Sequence, residues 1–188
     1  MNIMIVGVGG QGTLLASRII VKTAAAEGFD VKVSEVHGMS QRGGSVVTYV
    51  KYGKKVHSPI IAKGDADIIL AFEELEAYRW IEYLKKDGTL IVNNQNMDPM
   101  PVITGAMEYP SDITDKILKQ GVKLVCVPAL ELAEEAGTSK AVNVVLTGVF
   151  AANSPISKES FQDALEKTVP PKFLDMNKKA FELGYNFK

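Results

Sequence analysis

Cysteine is almost missing from this 188-residue chain, in which Cys126 is the single thiol. One cysteine excludes an internal disulfide, and it excludes a cysteine-ligated iron–sulfur cluster or zinc site made by this chain alone. The only histidines, His37 and His57, are far apart in the sequence and have no metal-binding motif around them. No metal site is therefore predicted.

Long hydrophobic runs and an excess of positive charge are also missing. No stretch reaches the ~18 apolar residues of a membrane-spanning helix, and the start, MNIMIVGVGGQG, has no basic segment typical of a signal peptide. With 21 basic and 22 acidic residues, the formal net charge is −1, which argues against binding to nucleic-acid phosphates. These absences predict a cytoplasmic protein that binds neither membranes nor nucleic acids.

Strand and helix patterns alternate through the first two thirds of the chain. Short apolar or alternating runs predict strands at 2–6, 30–36, 67–72, 88–93 and 122–127. Helical spacing predicts helices at 13–28, 73–85, 111–120, 128–136 and 141–152, after the N-cap Ser157, and after Pro170 and Pro171. Gly53, between two alternating runs, predicts a β-hairpin over 45–58.

This order of elements predicts an α/β fold. We expect one domain over residues 1–188, with a Rossmann-like, mostly parallel sheet flanked by helices, an inserted β-hairpin and a helical C-terminus.

A glycine-rich segment directly follows the first predicted strand and opens the first helix. Its GxGxxG pattern in this position is typical of dinucleotide-binding turns, where glycines let the backbone approach a phosphate. Glu35, at the end of the second strand, has the position of a ribose-binding acid. Alternatively, a tight turn packed against a neighbouring backbone also requires glycine. The predicted ligand-binding residues are Gly7, Gly9, Gly10, Gln11 and Gly12.

The segment EVHGMSQRGGS at 35–45 carries chemistry suited to an anion or to a protein partner. Arg42 has a guanidinium group that fits phosphate or carboxylate, and Gly43-Gly44 could present consecutive N–H groups. Arg42 and Met39 are also types enriched in interfaces, and the loop could instead only fold over the glycine turn. The predicted contact residues are His37, Gly38, Met39, Ser40, Gln41, Arg42, Gly43, Gly44 and Ser45.

The helix predicted at 141–152 is apolar on all sides and is therefore expected to be buried. Asn143 lies inside it and is predicted to hydrogen-bond a loop near the glycine turn, the alternative being a plain polar bridge from helix to sheet. Cys126 is predicted to be a small core residue of a buried strand. No set of residues identifies a catalytic acid, base or nucleophile, so no catalytic residue is predicted.

Two short motifs mimic the spacing of a thiamine-diphosphate signature. Gly64-Asp65 is followed by Asn93-Asn94, but the third glycine of the signature is absent. Gly64-Asp65 also precedes a predicted strand, whereas Asn93-Asn94 ends one. The two pairs are therefore expected at opposite edges of the sheet, where they could not bind one cofactor.

The stretches GVGGQGTLLASRII, SEVHGMSQRGGSVVTYVKYG and VHSPII resemble the gamma-type domain of 2-oxoacid:ferredoxin oxidoreductases. Within that family the resemblance is closest to the beta subunit of the indolepyruvate type. ADIILAFEELEA, GTLIVNNQ, KAVNVVLTGVFA and VPPKFLDMNKKAFELG extend the resemblance over essentially the whole chain. The HGMSQRGGS block is far more specific than the glycine pattern.

The resemblance implies a subunit of an enzyme that oxidatively decarboxylates a 2-oxoacid, with indolepyruvate or another arylpyruvate favoured. It implies that coenzyme A is acylated and that electrons pass to ferredoxin. Thiamine diphosphate, Mg²⁺ and iron–sulfur clusters are implied on a larger alpha subunit, so this chain holds no cofactor alone and is inactive by itself.

Two alternatives use the glycine turn for a ligand of its own. One is a stand-alone NAD(P)-dependent oxidoreductase, and the other is a non-catalytic nucleotide-binding module that regulates a partner. If the chain is instead an obligatory subunit, the isolated protein should expose an apolar patch or self-associate to cover one.

Overall fold

The structure is a computed structural model that describes residues 1–37 and 43–188. Its strands are β1 (Asn2–Val8), β2 (Asp30–His37), β3 (Ser45–Gly53), β4 (Ala66–Ala71), β5 (Leu84–Asn93) and β6 (Lys123–Val127). Its α-helices are α1 (Thr13–Ala26), α2 (Glu74–Trp80), α3 (Met100–Ile103), α4 (Ile113–Leu118), α5 (Ala129–Ala136), α6 (Val142–Ala152), α7 (Lys158–Glu166) and α8 (Leu174–Tyr185). Three short 3₁₀ turns lie at Ile81–Tyr83, Ser139–Ala141 and Pro171–Phe173.

The strands form one sheet in the order β2-β3-β1-β4-β5-β6. β1, β4, β5 and β6 pair in parallel, whereas β3 is antiparallel to both of its neighbours, β1 and β2. Every strand except β3 therefore runs in the same direction. The predicted mostly parallel α/β sheet with a helical C-terminus is confirmed.

The antiparallel hairpin is present, but its position differs from the prediction. It is formed by β2 and β3, with Glu35 opposite Thr48, and residues 54–58 do not form a strand. The chain does not turn back at Gly53, because the next segment is held against β2, where Val56 N–H donates to the Asp30 carboxylate at 2.9 Å. The alternating sequence at 54–58 thus belongs to a loop and not to a strand.

The start of α7 agrees with the prediction, whereas the end of α2 does not. Ser157 caps α7 as predicted, its Oγ accepting the Ser160 N–H at 3.3 Å. The helix predicted at 73–85 ends earlier, with α2 closing at Trp80, and β5 begins at Leu84, which pairs with Ala66. α3 was not predicted. No helix in the described ranges is long and apolar enough to cross a membrane.

The sheet is covered by hydrophobic clusters on both faces. One cluster joins Ile3, Ile5 and Leu70 to α1, α5, α6, α7 and α8, and the other joins Met4, Val6 and Ile69 to α2 and α4. α6 is buried as predicted. It packs so closely on α8 that a Cβ added to Gly184 would lie 2.0 Å from Val145 O.

Cys126 is exposed, so its prediction as a core residue is wrong. The reason is topological: β6 is the last strand in the sheet order, and it pairs only with β5. An apolar sequence such as KLVCV does not reveal whether the strand lies at the centre or at the edge of a sheet.

Candidate functional site

The carboxyl ends of the parallel strands meet at one edge of the sheet, which is where open α/β sheets bind their ligands. The glycine turn follows β1 at this edge, and residues 93–97 follow β5. The start of β3 reaches the same edge because β3 runs in the opposite direction. Segments that are distant in the sequence are thus brought together.

The glycine turn leads into α1 through two residues with left-handed backbone. Gly10 has φ +105° and Gly12 has φ +86°, conformations that cost a side-chain-bearing residue about 1–2 kcal/mol. Gly12 is the N-cap of α1, where no side chain caps the helix and no acidic residue lies in the first turn. The first helical hydrogen bond runs from Leu15 N–H to Gly12 O, so the preceding N–H groups have no intrahelical acceptor.

Two of the predicted turn residues have a clear packing role. Gln11 Oε1 accepts the Val8 N–H at 2.8 Å, and Gln11 Nε2 donates to Phe72 O at 3.0 Å. A Cβ on Gly7 would lie 2.9 Å from Gln11 Oε1 and 3.0 Å from Phe72 Cβ. Gly7 and Gln11 therefore hold the end of β1 close to the end of β4. Gly9, Gly10 and Gly12 line a cleft at the carboxyl edge of the sheet.

The end of the predicted contact loop lies directly on the glycine turn. Gly9 N–H donates to Gly44 O at 2.8 Å, and Gly43 N–H donates to Gly9 O at 3.4 Å. The Gly43 N–H is thus engaged with the turn and is not presented to an anion. His37 Nδ1 lies 3.2 Å from Glu35 Oε1. The other predicted loop residues, Gly38, Met39, Ser40, Gln41 and Arg42, lie outside the described residues.

A buried carboxylate that sequence reasoning missed holds the last loop residue. Glu76 is only 2% exposed, and its Oε2 accepts from Ser45 Oγ at 2.5 Å and from Trp80 Nε1 at 3.3 Å. Arg79 Nη1 donates to its Oε1 at 2.7 Å. The Glu76 carboxylate, paired with Arg79, therefore holds the start of β3 against α2. Helical spacing from Glu76 to Arg79 and Trp80 was the one available signal.

A second buried carboxylate, Glu73, organises the segment after β5. Glu73 is the N-cap of α2 and accepts from Glu76 N–H at 2.8 Å, from Met97 N–H at 3.2 Å and from the Tyr109 hydroxyl. Burial, and then the Glu73 hydrogen bond and charge, raise the pKa of Tyr109 above its usual value. At the N-terminus of α2, the Glu76 N–H is therefore satisfied by Glu73, and the Glu74 N–H donates to Gln95 O at 3.2 Å.

Asn143 lies where it was predicted to lie. It is 7% exposed on the first turn of α6, and its Nδ2 donates to Gly12 O at 3.4 Å. A Cβ on Gly12 would be only 2.5 Å from that nitrogen, so the turn and the helix are in close contact. The predicted link between the apolar helix and the glycine turn is confirmed.

Two clefts share the glycine turn. The smaller one, of 380 Å³, opens toward β2 and is lined by Gly9, Gly10, Gly12, Thr13, Leu14, Glu35, His37 and Val46. It places Glu35 beside the turn, as a ribose-binding acid would require. The larger one, of 620 Å³, is lined by Gly9, Gly10, Gln11, Gly12, Gly43, Gln95, Met97, Leu130, Ser139, Lys140, Val142 and Asn143.

The described residues do not fit a magnesium-bound thiamine diphosphate. Gly64-Asp65 precedes β4 and Asn93 ends β5, so the parallel pairing puts them at opposite edges of the sheet, as predicted. The Asn93 amide is also occupied, donating to Phe72 O at 3.2 Å and accepting from Ala129 N–H at 3.3 Å. Within residues 1–37 and 43–188, no three His, Cys, Asp or Glu side chains are grouped to hold a metal ion.

Comparisons with known proteins identify relatives that match this chain over nearly its full length. Residues 2–187 match the family model described as pyruvate ferredoxin/flavodoxin oxidoreductase. The chain is 44% identical over 188 residues to an indolepyruvate oxidoreductase subunit IorB from Thermococcus kodakarensis, covering 97% of this chain and 93% of that one. It is 29% identical to a 2-oxoglutarate synthase subunit KorC from Methanothermobacter marburgensis, covering 97% and 94%.

Solved structures share the fold. The gamma subunit of a keto/oxoacid ferredoxin oxidoreductase from Geobacter sulfurreducens superposes with a TM-score of 0.73 at 24% identity, covering 98% of this chain and 95% of that one. A 2-oxoglutarate:ferredoxin oxidoreductase chain from Magnetococcus marinus, solved with 2-oxoglutarate, coenzyme A and succinyl-CoA, gives a TM-score of 0.75 at 20% identity. All of this chain is covered there, but only 30% of that longer chain.

Proposed function

Because the chain belongs to the pyruvate ferredoxin/flavodoxin oxidoreductase family, as a subunit of the 2-oxoacid:ferredoxin oxidoreductase type, we propose that its enzyme acts on indolepyruvate or another arylpyruvate. The observation that carries this substrate class is the graded similarity. Identity is 44% to an indolepyruvate oxidoreductase subunit but 29% to a ketoisovalerate and to a 2-oxoglutarate enzyme subunit.

In this proposal the redox chemistry is divided between chains. Thiamine diphosphate with Mg²⁺ would supply stabilisation of the carbanion formed on decarboxylation, and iron–sulfur clusters would pass electrons to ferredoxin. Both are assigned to a larger alpha subunit, since Cys126 is the only thiol here and the described residues do not fit the diphosphate site. Coenzyme A is the acyl acceptor of the complex, and the complex is cytoplasmic.

The surface assigned to the alpha subunit is the sheet edge that carries the glycine turn, Gly43–Ser45 and Asn143. Support comes from the way this edge is built: Glu76 and Glu73 are fully paired, so they stabilise its shape and do not offer free acids or bases. The chain is proposed to be a single domain over 1–188. It thus contributes a surface of fixed shape next to the partner's active site. Gly38 to Arg42 are predicted, from the sequence alone, to contact the alpha subunit.

Reconstitution tests the function. The purified chain is mixed anaerobically with its candidate large subunit, and viologen reduction is followed with coenzyme A and either indolepyruvate, pyruvate, 2-oxoglutarate or a branched-chain 2-oxoacid. We expect each subunit to be inert alone and the mixture to turn over indolepyruvate with the highest kcat/KM. Turnover by the large subunit alone at the rate of the mixture would reject a required subunit, and a preference for pyruvate would reject the substrate class.

A further inference from the structure

Strand β2 lies at the open side of the sheet. It is the first strand in the order and, among the described residues, it pairs with β3 alone. Its outer side therefore presents backbone N–H and C=O groups without strand partners over Asp30–His37. A row of such groups is a template for a further strand, which binds through main-chain hydrogen bonds.

The features that usually protect an outermost strand are weak in β2. The strand contains no proline, and its one lysine, Lys32, is paired with Asp30 at 2.5 Å. Val33 is 43% exposed and Val36 is 53% exposed. Monomeric proteins shield such strands with free charges, proline, bulges or a covering segment. The eight-residue β2, with two exposed valines, is therefore better suited to an interface than to solvent.

A groove between β2 and α1 widens this surface. It has a volume of 690 Å³, and its lining includes Leu14, Arg18, Val21, Lys22, Val33 and Glu35. β1 and β2 run in the same direction, and α1 returns from the end of β1, so α1 runs against β2. Leu14 therefore lies beside Glu35, as the smaller cleft also shows, whereas Lys22 lies toward the start of β2. The groove thus has an acid at one end and a base at the other.

The geometry of strand pairing limits how a second copy can add to β2. Two copies of one strand pair antiparallel about a two-fold axis perpendicular to the sheet, which keeps every side chain on its own face. Residues directly opposite each other also share a face, so the axis must pass through a residue and not between two residues. An axis at Lys32 or at Glu35 would place two like charges directly opposite each other, which is unfavourable.

An axis at Val33 gives the best match of the remaining positions. The two copies of Val33 then lie opposite each other, and Glu35 of each copy lies opposite Val31 of the other, at the end of the groove that carries Lys22. The two Lys32 side chains are diagonal neighbours, but each is already paired with Asp30. An axis at Ser34 would instead make the two Glu35 side chains diagonal neighbours, where like charges repel.

From the open strand, its exposed valines and this self-complementary charge pattern, we propose that β2 pairs with β2 of a second copy of this chain about an axis at Val33. The pairing joins two six-stranded sheets into one. The copies run in opposite directions, so their carboxyl edges point away from each other. Each carboxyl edge stays accessible to an alpha subunit, and the inference therefore extends the proposed function to a complex with two copies of this chain.

Sedimentation equilibrium of the isolated full-length chain, over a micromolar concentration series, tests the dimer. We expect the mass of a dimer for the wild-type chain and of a monomer for Val33→Lys, which places two lysines at the axis. Leu118→Lys, which changes an exposed apolar residue on α4, is the matched control and should stay dimeric. Circular dichroism confirms that both variants are folded. A monomeric wild-type chain, or a dimer that Val33→Lys leaves intact, overturns the proposal.

Cysteine cross-linking tests the position of the axis. In a Cys126→Ser background, Val33→Cys should form an intermolecular disulfide under mild oxidation, because opposite residues of an antiparallel pair have Cβ atoms about 4.5–5.5 Å apart. Ser34→Cys in the same background should cross-link much more slowly, since its diagonal partner is about 7–8 Å away. Faster cross-linking at position 34 than at position 33 would overturn the proposed axis.

A charge exchange tests the proposed contact between the copies. Lys22→Glu should weaken the dimer about tenfold, because it replaces two symmetric attractions by two repulsions, and adding Glu35→Lys should restore the affinity. A double variant no tighter than Lys22→Glu overturns the contact. These measurements use neither the large subunit nor a substrate, so their failure leaves the enzyme assignment intact. Protection of β2 from hydrogen exchange only after the large subunit is added would assign this surface to that subunit and reject the dimer.

Discussion

The contact between Gly12 and Asn143 gives a prediction that the structure quantifies. An alanine at position 12 meets two obstacles, a left-handed backbone with φ +86° and an Asn143 Nδ2 only 2.5 Å from the new Cβ. An alanine at position 10 meets only the first, with φ +105° and no atom within 4 Å of its Cβ. The pair therefore separates backbone strain from steric clash.

The expected magnitudes differ accordingly. Left-handed backbone costs alanine about 1–2 kcal/mol, which sets the destabilisation by Gly10→Ala. Gly12→Ala adds the cost of overpacking a buried contact, about 1–3 kcal/mol. The effect of replacing glycine on the unfolded chain is similar for both variants and cancels in the comparison. Gly12→Ala should thus be less stable than Gly10→Ala by about 1–3 kcal/mol.

Urea unfolding of the isolated chain, followed by circular dichroism, measures both variants and a double-mutant cycle. Adding Asn143→Ala to Gly12→Ala removes the side chain that clashes, so the double variant should recover about 1–2 kcal/mol relative to the sum of the single changes. Equal stability of Gly10→Ala and Gly12→Ala, or additive effects in the cycle, would refute the close approach of α6 to the glycine turn.

Three further predictions concern other contacts. Gly184→Ala should destabilise the chain by about 2 kcal/mol or more in urea unfolding, because its Cβ would lie 2.0 Å from a carbonyl of α6, whereas Gly53→Ala, which has room, should be near neutral. Tyr109→Phe should cost about 1–2 kcal/mol by removing a hydrogen bond to Glu73. Since the pKa of Tyr109 is raised, that bond should persist to above ~pH 10 and be lost only as pH rises further, which ultraviolet titration of wild type against the variant can detect. Cys126 is exposed, but desolvation by the surrounding protein, and then the charge of Glu74, raise the pKa of its thiol. Alkylation at pH 8 should therefore be slower than in the urea-unfolded chain, and equal rates would contradict this.

Local patterns were enough to predict most of the architecture. Apolar runs identified β1, β4 and β6, and the hydroxyl of Ser157 identified the start of α7. The glycine pattern and the uniformly apolar α6 together predicted the contact of Asn143 with the turn. Each of these signals depends on residues a few positions apart, or on one residue that breaks an otherwise uniform pattern.

Features that depend on the order of strands were not predictable in this way. The exposure of Cys126 follows from the place of β6 at the sheet edge, and the true hairpin follows from the insertion of β3 between β2 and β1. Glu73 and Glu76 resemble ordinary solvent-exposed helix charges in the sequence. Their burial depends on Tyr109 and Ser45, which are brought to α2 only by the folded chain.

The central claim is that the carboxyl edge of the sheet is the working face of this subunit. Hydrogen–deuterium exchange of the chain, alone and in complex with the large subunit, tests it most directly. We predict slower exchange in the complex at residues 9–14, 43–46, 94–97 and 137–143, with little change at 62–66 and 84–88 on the opposite edge. Protection confined to the opposite edge, with the glycine turn unchanged, would contradict the account.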